Sequence, residues 1–237
     1  MSVGGGDDIV DQVPKWESEL WSYVSSGDGM HCPFYSRCRI KKRGGWCPDE
    51  NKERLNKLLD EKQSNLYSCD YIESEVKGFC RIFQLVERLS QKYLKRAGVC
   101  CPPVPEGLAT IFDEQHDIEV HQVPLKVHHG AIWRIRDRWV IQLKDSDAPA
   151  TRRFSLFHEA FHILAHCRTT PVFRRRGAVG GSFNELLADA FAAYILMPRQ
   201  WVKEKWVEVK DLDRMAQIFG VPKSAMCIRL RWLGLIY

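Results

Sequence analysis

The chain has 237 residues, of which 45% are hydrophobic and 27% are charged, and its formal net charge is +5. This is the ordinary balance of a soluble globular protein, and no run approaches the roughly 18 apolar residues that a membrane span needs. The N-terminus is acidic and polar, which excludes a secretory signal peptide and leads us to expect a cytoplasmic protein without a membrane partner. A small positive charge tolerates nucleic acid as a partner but does not favour it.

Residues 1–70 form the first of three predicted regions, a segment distinguished by its cysteines. Nine cysteines in a chain without a secretory signal are more typical of metal ligands or buried thiols than of disulfides. The segment contains Cys32, Cys38, Cys47 and Cys69, and no two of them form a C-x-x-C pair. Three interpretations therefore remain: a structural zinc site, an iron–sulfur cluster, or unliganded thiols.

Residues 71–210 are predicted to form the main domain. Its expected elements follow one another as helix, short helix, three short strands rich in Ile, Val and Trp, and two more helices. In that order they cover residues 71–96, 107–115, 118–120, 130–135, 139–143, 147–166 and 183–196. Asp147 is the expected cap of the penultimate helix, with Pro149 in its first turn. The fold class is therefore predicted to be α+β, mainly helical with a small three-stranded sheet.

An H-E-x-x-H motif at residues 158–162 carries the chemistry of this domain. On a helix, His158 and His162 project from one face about one turn apart. Two imidazoles at this separation can bind one zinc ion, and Glu159 then lies beside the metal, where it can act as a general base toward water. The alternative is that the two histidines are ordinary core or surface residues.

A third metal ligand is expected on the following helix. Catalytic zinc takes three protein ligands and keeps one position open, and Glu185 can complete a His-His-Glu set. Asp189, four residues further on, can accept the free ring N–H of a ligating histidine. The alternatives are a capping box, Ser182-x-x-Glu185, and a solvated Asp189. His166 lies one more turn along the first helix and is predicted to support the ligands or the fold, because three successive turns cannot converge on one ion.

These residues resemble the ImmA/IrrE family of metallopeptidases, within the broader thermolysin-like group that uses two His and one Glu. The likeness spans about residues 72–237. Its motifs are Pro102-Pro103-Val104-Pro105, Arg153-Phe154 before His158, His166, and Glu185 followed by Ala188-Asp189, Phe191-Ala192 and Leu196-Met197-Pro198. The resemblance implies a zincin-like, gluzincin-type endopeptidase with His158, His162 and Glu185 as zinc ligands and Glu159 as general base. One departure is Phe161, where many relatives carry Gly or Ser.

The resemblance also implies a substrate. Members of the family typically cleave a helix-turn-helix transcriptional repressor and so switch on stress-response or mobile-element genes. The strand predicted at 139–143 is expected to be an edge strand that aligns the substrate by β-addition. The side chain that stabilises the oxyanion is left open among Tyr194, His128 and His129.

Residues 211–237 are predicted to form a helix-turn-helix-like tail, with Gly220 at the turn and Arg229 and Arg231 on the second helix. Its apolar content favours packing on the peptidase or its substrate over reading a DNA groove. Two other functions remain as alternatives. One is a non-proteolytic metal-fold sensor that regulates a repressor or nucleic acid by association, and the other is a nucleic-acid-binding regulator that uses the basic patch at residues 37–43.

Overall fold

The computed structural model describes residues 13–26, 81–168 and 183–236. In chain order, the elements within these ranges are α1 (Lys15–Ser26), α2 (Arg81–Arg96), a 3-10 helix (Glu106–Ile111), β1 (Asp117–Val123), β2 (Gly130–Ile135), β3 (Arg138–Lys144), α3 (Pro149–Arg168), α4 (Phe183–Leu196), α5 (Arg199–Val209), α6 (Leu212–Phe219) and α7 (Lys223–Trp232). The predicted α+β class, with mainly helices and one three-stranded sheet, is confirmed. None of these described helices has the length and apolar character needed to cross a bilayer.

The predicted cysteine site falls outside the described residues. Cys32, Cys38, Cys47 and Cys69 all lie between residues 27 and 80. A zinc ion or an iron–sulfur cluster in that segment therefore stays a prediction.

The sheet has the order β1-β3-β2, so β3 lies in the centre. β1 runs parallel to β3, whereas β2 is antiparallel to it and is joined to it by a two-residue turn in which Arg136 has φ of 57°. The expectation that residues 139–143 form an edge strand is wrong. The run Trp139-Val140-Ile141 is buried throughout, which is typical of a central strand rather than of an edge strand exposed on one side.

Helix α3 covers one face of the sheet and packs on its other side against α4. α4 in turn packs against α2, so α4 is sandwiched between two helices. This position accounts for the apolar composition of α4, because a helix that is surrounded by protein buries nearly all of its side chains. The residues of α4 that are at most 9% exposed are Leu187, Ala188, Ala190, Phe191, Ala192, Ala193, Tyr194, Ile195 and Leu196.

Phe161 is accommodated by two aromatic rings from other helices. It is fully buried, and its ring centroid lies 5.4 Å from that of Phe191 in α4 and 6.1 Å from that of Trp21 in α1. α1 is fixed to α2 by the carboxylate of Glu17, which is buried and lies 2.6 Å from the Lys92 ammonium. The bulky ring at this position of α3 therefore has its own set of packing partners.

The tail packs on the main domain, as its apolar content predicted. Gly220 ends α6 with φ of 61°, a left-handed conformation that glycine adopts at little cost. Arg229 of α7 is only 2% exposed; its Nε donates to the Met197 carbonyl over 2.9 Å, and its Nη2 lies 3.2 Å from a carboxylate oxygen of Glu87. Since this guanidinium is bound inside the domain, it is not placed to contact DNA.

Candidate metal centre

Helix α3 brings two imidazoles together. His158 and His162 are four residues apart, and their Nε2 atoms lie 3.3 Å from each other. Two nitrogens that each lie about 2.0–2.1 Å from a tetrahedral zinc ion are separated by roughly 3.3 Å, so this spacing fits a shared metal. The helix is held in place by the apolar side chains around the motif, which are 1% exposed or less. They are Leu156, Phe157, Ala160, Phe161, Ile163 and Leu164.

Glu185 in the first turn of α4 reaches the same point. One of its carboxylate oxygens lies 3.3 Å from His158 Nε2, and the other lies 3.3 Å from His162 Nε2. A donor atom from each of the three residues lies within 4.8 Å of the other two. Ser182, the partner in the capping-box alternative, lies outside the described residues, but the Glu185 carboxylate contacts both rings. The three predicted ligands therefore converge.

Asp189, one turn further along α4, binds the opposite nitrogen of His158. Its Oδ1 lies 2.6 Å from His158 Nδ1. A carboxylate at this distance accepts the Nδ1 proton, which fixes the orientation of the ring and leaves Nε2 facing His162 and Glu185. Asp189 thus lies where it was expected, within hydrogen-bond distance of the ring nitrogen of His158 that faces away from Glu185.

The charges around the two rings favour a cation. Although burial acts to lower the pKa of His158, the carboxylates of Asp189 and Glu185 raise that pKa well above its ordinary value. Burial acts to raise the pKa of Glu185, but hydrogen bonds from His158 and His162 hold it far below the usual range. Glu185 is thus ionised and places anionic oxygens beside the two imidazoles. This mixed set of oxygen and nitrogen donors matches a divalent ion.

Glu159 is buried between α3 and the first residue of β2. It is 3% exposed, and a Cβ added to Gly130 would lie 2.8 Å from both Cγ and Oε1 of its side chain. Real Cβ atoms are essentially never found at this distance, so only glycine fits at position 130 without a shift. The sequence predicts Gly130 as the start of a strand but carries no local signal for its contact with the motif.

Comparisons with known proteins cover the same part of the chain. A peptidase family model, described as an IrrE N-terminal-like domain, matches residues 113–231, which is half of the chain and includes the whole candidate centre. The chain belongs to this family. Membership makes the domain metallopeptidase-like, and the family implies a metal ion, for which the His-His-Glu cluster provides the donors.

A solved structure of a Mycobacterium tuberculosis transcriptional regulator is similar to the IrrE-like chain with a TM-score of 0.48 and 14% sequence identity. The similarity covers 75% of the IrrE-like chain and 50% of the regulator. The chain therefore corresponds to about half the length of that protein. No curated protein sequence matches the chain.

The three oxyanion candidates occupy different places in the IrrE-like domain. Tyr194 lies under the Arg229 guanidinium, 4.6 Å from it, and nine residues along α4 from Glu185, which is about 14 Å. His129 directly precedes Gly130, and its Nδ1 lies 2.6 Å from a carboxylate oxygen of Asp147. His128 is exposed. Of the three, His129 is next in sequence to a residue that touches Glu159.

Two other expectations are changed by the observed contacts. Asp147 is not the helix cap, because α3 begins at Pro149 and the residue directly before it is Ala148; the Asp147 carboxylate contacts His129 instead. His166 lies against the sheet, with its ring centroid 4.8 Å from that of Trp139. Of the two predicted roles of His166, support of the ligands or of the fold, this contact favours support of the fold.

Proposed function

We propose that this chain is a zinc-dependent endopeptidase that cleaves a regulatory protein. The single observation that carries the proposal is the convergence of His158, His162 and Glu185, backed by Asp189 and next to the buried carboxylate of Glu159. Two histidines and one glutamate are a ligand set of catalytic zinc, because three protein ligands leave a position open for water and substrate. When bound, zinc would polarise the scissile carbonyl and lower the pKa of a water molecule at that position to about 7.

Glu159 performs the proton transfers in this proposal. Its carboxylate accepts a proton from the attacking water and later gives it to the amine that leaves. Burial of the side chain keeps competing bulk water away from the proton. Its contact with Gly130 fixes it at the point where β2 begins.

β2 supplies the surface that aligns the substrate. Among the described strands it pairs only with β3, so an extended peptide would add along its other edge. A peptide added there would run past Gly130 and so past Glu159. This geometry replaces the expectation that β3 aligns the substrate, and it favours cleavage within an extended segment.

The substrate we propose is a helix-turn-helix transcriptional repressor, whose cleavage relieves repression in the cytoplasm. This class rests on the family, as its members typically act on such proteins. The rival function is a non-proteolytic protein that keeps the metal site and controls the repressor by association. The two differ in the fate of the repressor, which is cut in one case and only bound in the other.

The test uses the purified full chain and the helix-turn-helix repressor encoded nearest to its gene. Metal analysis should give one zinc per chain at the centre, and mass spectrometry should show repressor fragments that disappear with a chelator and return with added zinc. Zinc binding together with a stable, uncut complex would favour the rival function. Absence of bound zinc at any tested concentration would overturn the proposal.

Asp189→Asn should weaken zinc binding while leaving the ligands in place. Asparagine can still accept the His158 Nδ1 proton, but it removes the negative charge that stabilises the ligating tautomer. We expect the zinc affinity to fall about 10- to 100-fold, measured by competition with a chromophoric chelator. The exposed Asp213, which pairs with Lys223 on the surface, provides the control; Asp213→Asn should leave the affinity unchanged. Equal affinities for both variants would contradict the role of Asp189.

Gly130→Ala should impair catalysis without loss of metal. The new methyl group would displace the Glu159 carboxylate, and a misplacement of about 1 Å in a catalytic group costs on the order of 100-fold in rate. We expect kcat to fall about 10- to 100-fold with the zinc content unchanged. Gly107→Ala is the matched control, since a Cβ at that position meets nothing within 4 Å. Wild-type kcat in Gly130→Ala would show that the contact does not position the base.

A further inference from the structure

Arg134 lies on the same side of β2 as the candidate base. Side chains alternate along a strand, so residues 130 and 134 face the same way, and a Cβ at Gly130 would point at Glu159. The Arg134 guanidinium accordingly lies over the ring of Trp139, 5.6 Å from its centroid, and the same indole contacts the ring of His166 in α3. Arg134 is therefore on the helix-facing side of β2, the edge strand of the described sheet, about 13 Å from Gly130.

A buried network holds this guanidinium in place. One carboxylate oxygen of Asp113 lies 2.8 Å from the indole Nε1 of Trp139 and 2.8 Å from His116 Nδ1. His116 thus donates through Nδ1, which leaves its Nε2 as an acceptor for Arg134 Nη2 over 2.9 Å. Asp113 and Trp139 are both 9% exposed or less, so the support is rigid.

The Arg134 guanidinium is fixed by a hydrogen bond, but among the described residues no carboxylate forms an ion pair with it. Its hydrogen-bond partner is an imidazole nitrogen, and within the described ranges no carboxylate oxygen lies within 4.0 Å of its guanidinium. Arg138, on the neighbouring strand, is paired with the carboxylate of Glu119. A guanidinium has five N–H donors in a planar fork that suits a carboxylate, and Arg134 is exposed to solvent.

We propose that Arg134 is a specificity residue that selects a substrate with Asp or Glu at one fixed position. This inference rests on the proposed function. In antiparallel addition to β2, the substrate residue opposite Arg134 has its side chain on the same side as the residue opposite Gly130. Because the strands run in opposite directions, the acidic residue lies four residues N-terminal to the one that pairs with Gly130. The substrate class is an extended polypeptide with an acidic side chain upstream of the scissile bond.

The experiment uses the zinc-loaded full chain and a library of quenched fluorescent peptides. Each peptide carries Asp, Asn or Lys at one position at a time. We expect kcat/KM to be about tenfold higher for Asp than for Asn at a single position N-terminal to the cleaved bond, as is typical of a charge-assisted hydrogen bond. Arg134→Gln should bring the Asp-to-Asn ratio to about one, and Arg134→Glu should reverse the preference in favour of Lys. Arg138→Gln, the matched control, should keep the preference of the wild type.

Binding separates this inference from the proposed function. The Glu159→Gln chain should bind the Asp peptide about tenfold more tightly than the Lys peptide in fluorescence anisotropy, and a second change, Arg134→Glu, should reverse this order. If no peptide is cut but this reversal occurs, the proposed function fails and the role of Arg134 stands. A preference for Asp that survives Arg134→Glu in both assays overturns the role of Arg134.

Discussion

Glu159→Gln is expected to bind one zinc ion but to cleave the substrate at least about 100-fold more slowly than the wild type. Glutamine has the shape of glutamate but cannot accept the proton from the attacking water. General acid–base catalysis contributes about 10²- to 10⁴-fold, and both proton transfers of the proposed mechanism use this carboxylate. The rate of the cleavage step should therefore fall by at least about 10²-fold. Single-turnover kinetics measure this rate, and the zinc content is determined in the same sample.

The matched control is Glu208→Gln, which removes an exposed carboxylate whose partner is Lys205 on the surface. This variant should cleave like the wild type. If Glu159→Gln cleaved as fast as Glu208→Gln, another residue would be the base. If it lost its zinc, the loss of cleavage would not report on proton transfer, and a Glu159→Asp chain would then have to show a partial rate with zinc bound.

Glu185→Gln is expected to abolish stable zinc binding and, with it, all cleavage. The substitution separates the two roles that the sequence left open. Glutamine can serve in a capping box as well as glutamate does, so the start of α4 is preserved. It replaces by a neutral amide the carboxylate whose two oxygens lie 3.3 Å from the Nε2 atoms of His158 and His162, respectively. Since loss of a residue that merely supports a ligand costs about 10- to 100-fold in affinity, loss of a ligand should cost at least about 100-fold.

Calorimetric titration with zinc measures this effect, and circular dichroism checks that the helices are retained. Wild-type zinc affinity in Glu185→Gln would reduce Glu185 to a capping residue and would remove the basis of the enzyme assignment. A large loss of helix would point to a role in folding, and Glu185→Asp, which keeps the charge but shortens the side chain, would then give an intermediate affinity if Glu185 is a ligand.

The sequence predicted the parts of the centre that depend on local geometry. The i, i+4 spacing of His158 and His162 fixes their relation on any helix, and the same spacing relates Glu185 to Asp189. The pairing of α3 with α4 followed from the chemistry of zinc, which requires a third ligand. These four residues are brought together as expected.

The features of the fold and the centre that the sequence does not predict depend on long-range packing. Nothing near Gly130 in the sequence indicates that the Glu159 side chain, 29 positions away, comes to lie 2.8 Å from the position of its absent Cβ. The order of the strands likewise depends on a parallel pairing of β1 with β3, which are separated in sequence by β2 but are neighbours in the sheet. Local periodicity does not reveal this pairing. The network of Asp113, His116, Arg134 and Trp139 joins three segments of the chain and has no motif of its own.

The aromatic stack at Phe161 bears on where this domain can be divided. The family match begins at residue 113, yet one of the two rings that pack on Phe161, directly before His162, belongs to Trp21. The packed structure thus extends beyond the homologous region. A fragment cut at the limits of homology would expose an aromatic surface beside the proposed metal ligands, so residues far upstream of the motif help to cover the candidate centre.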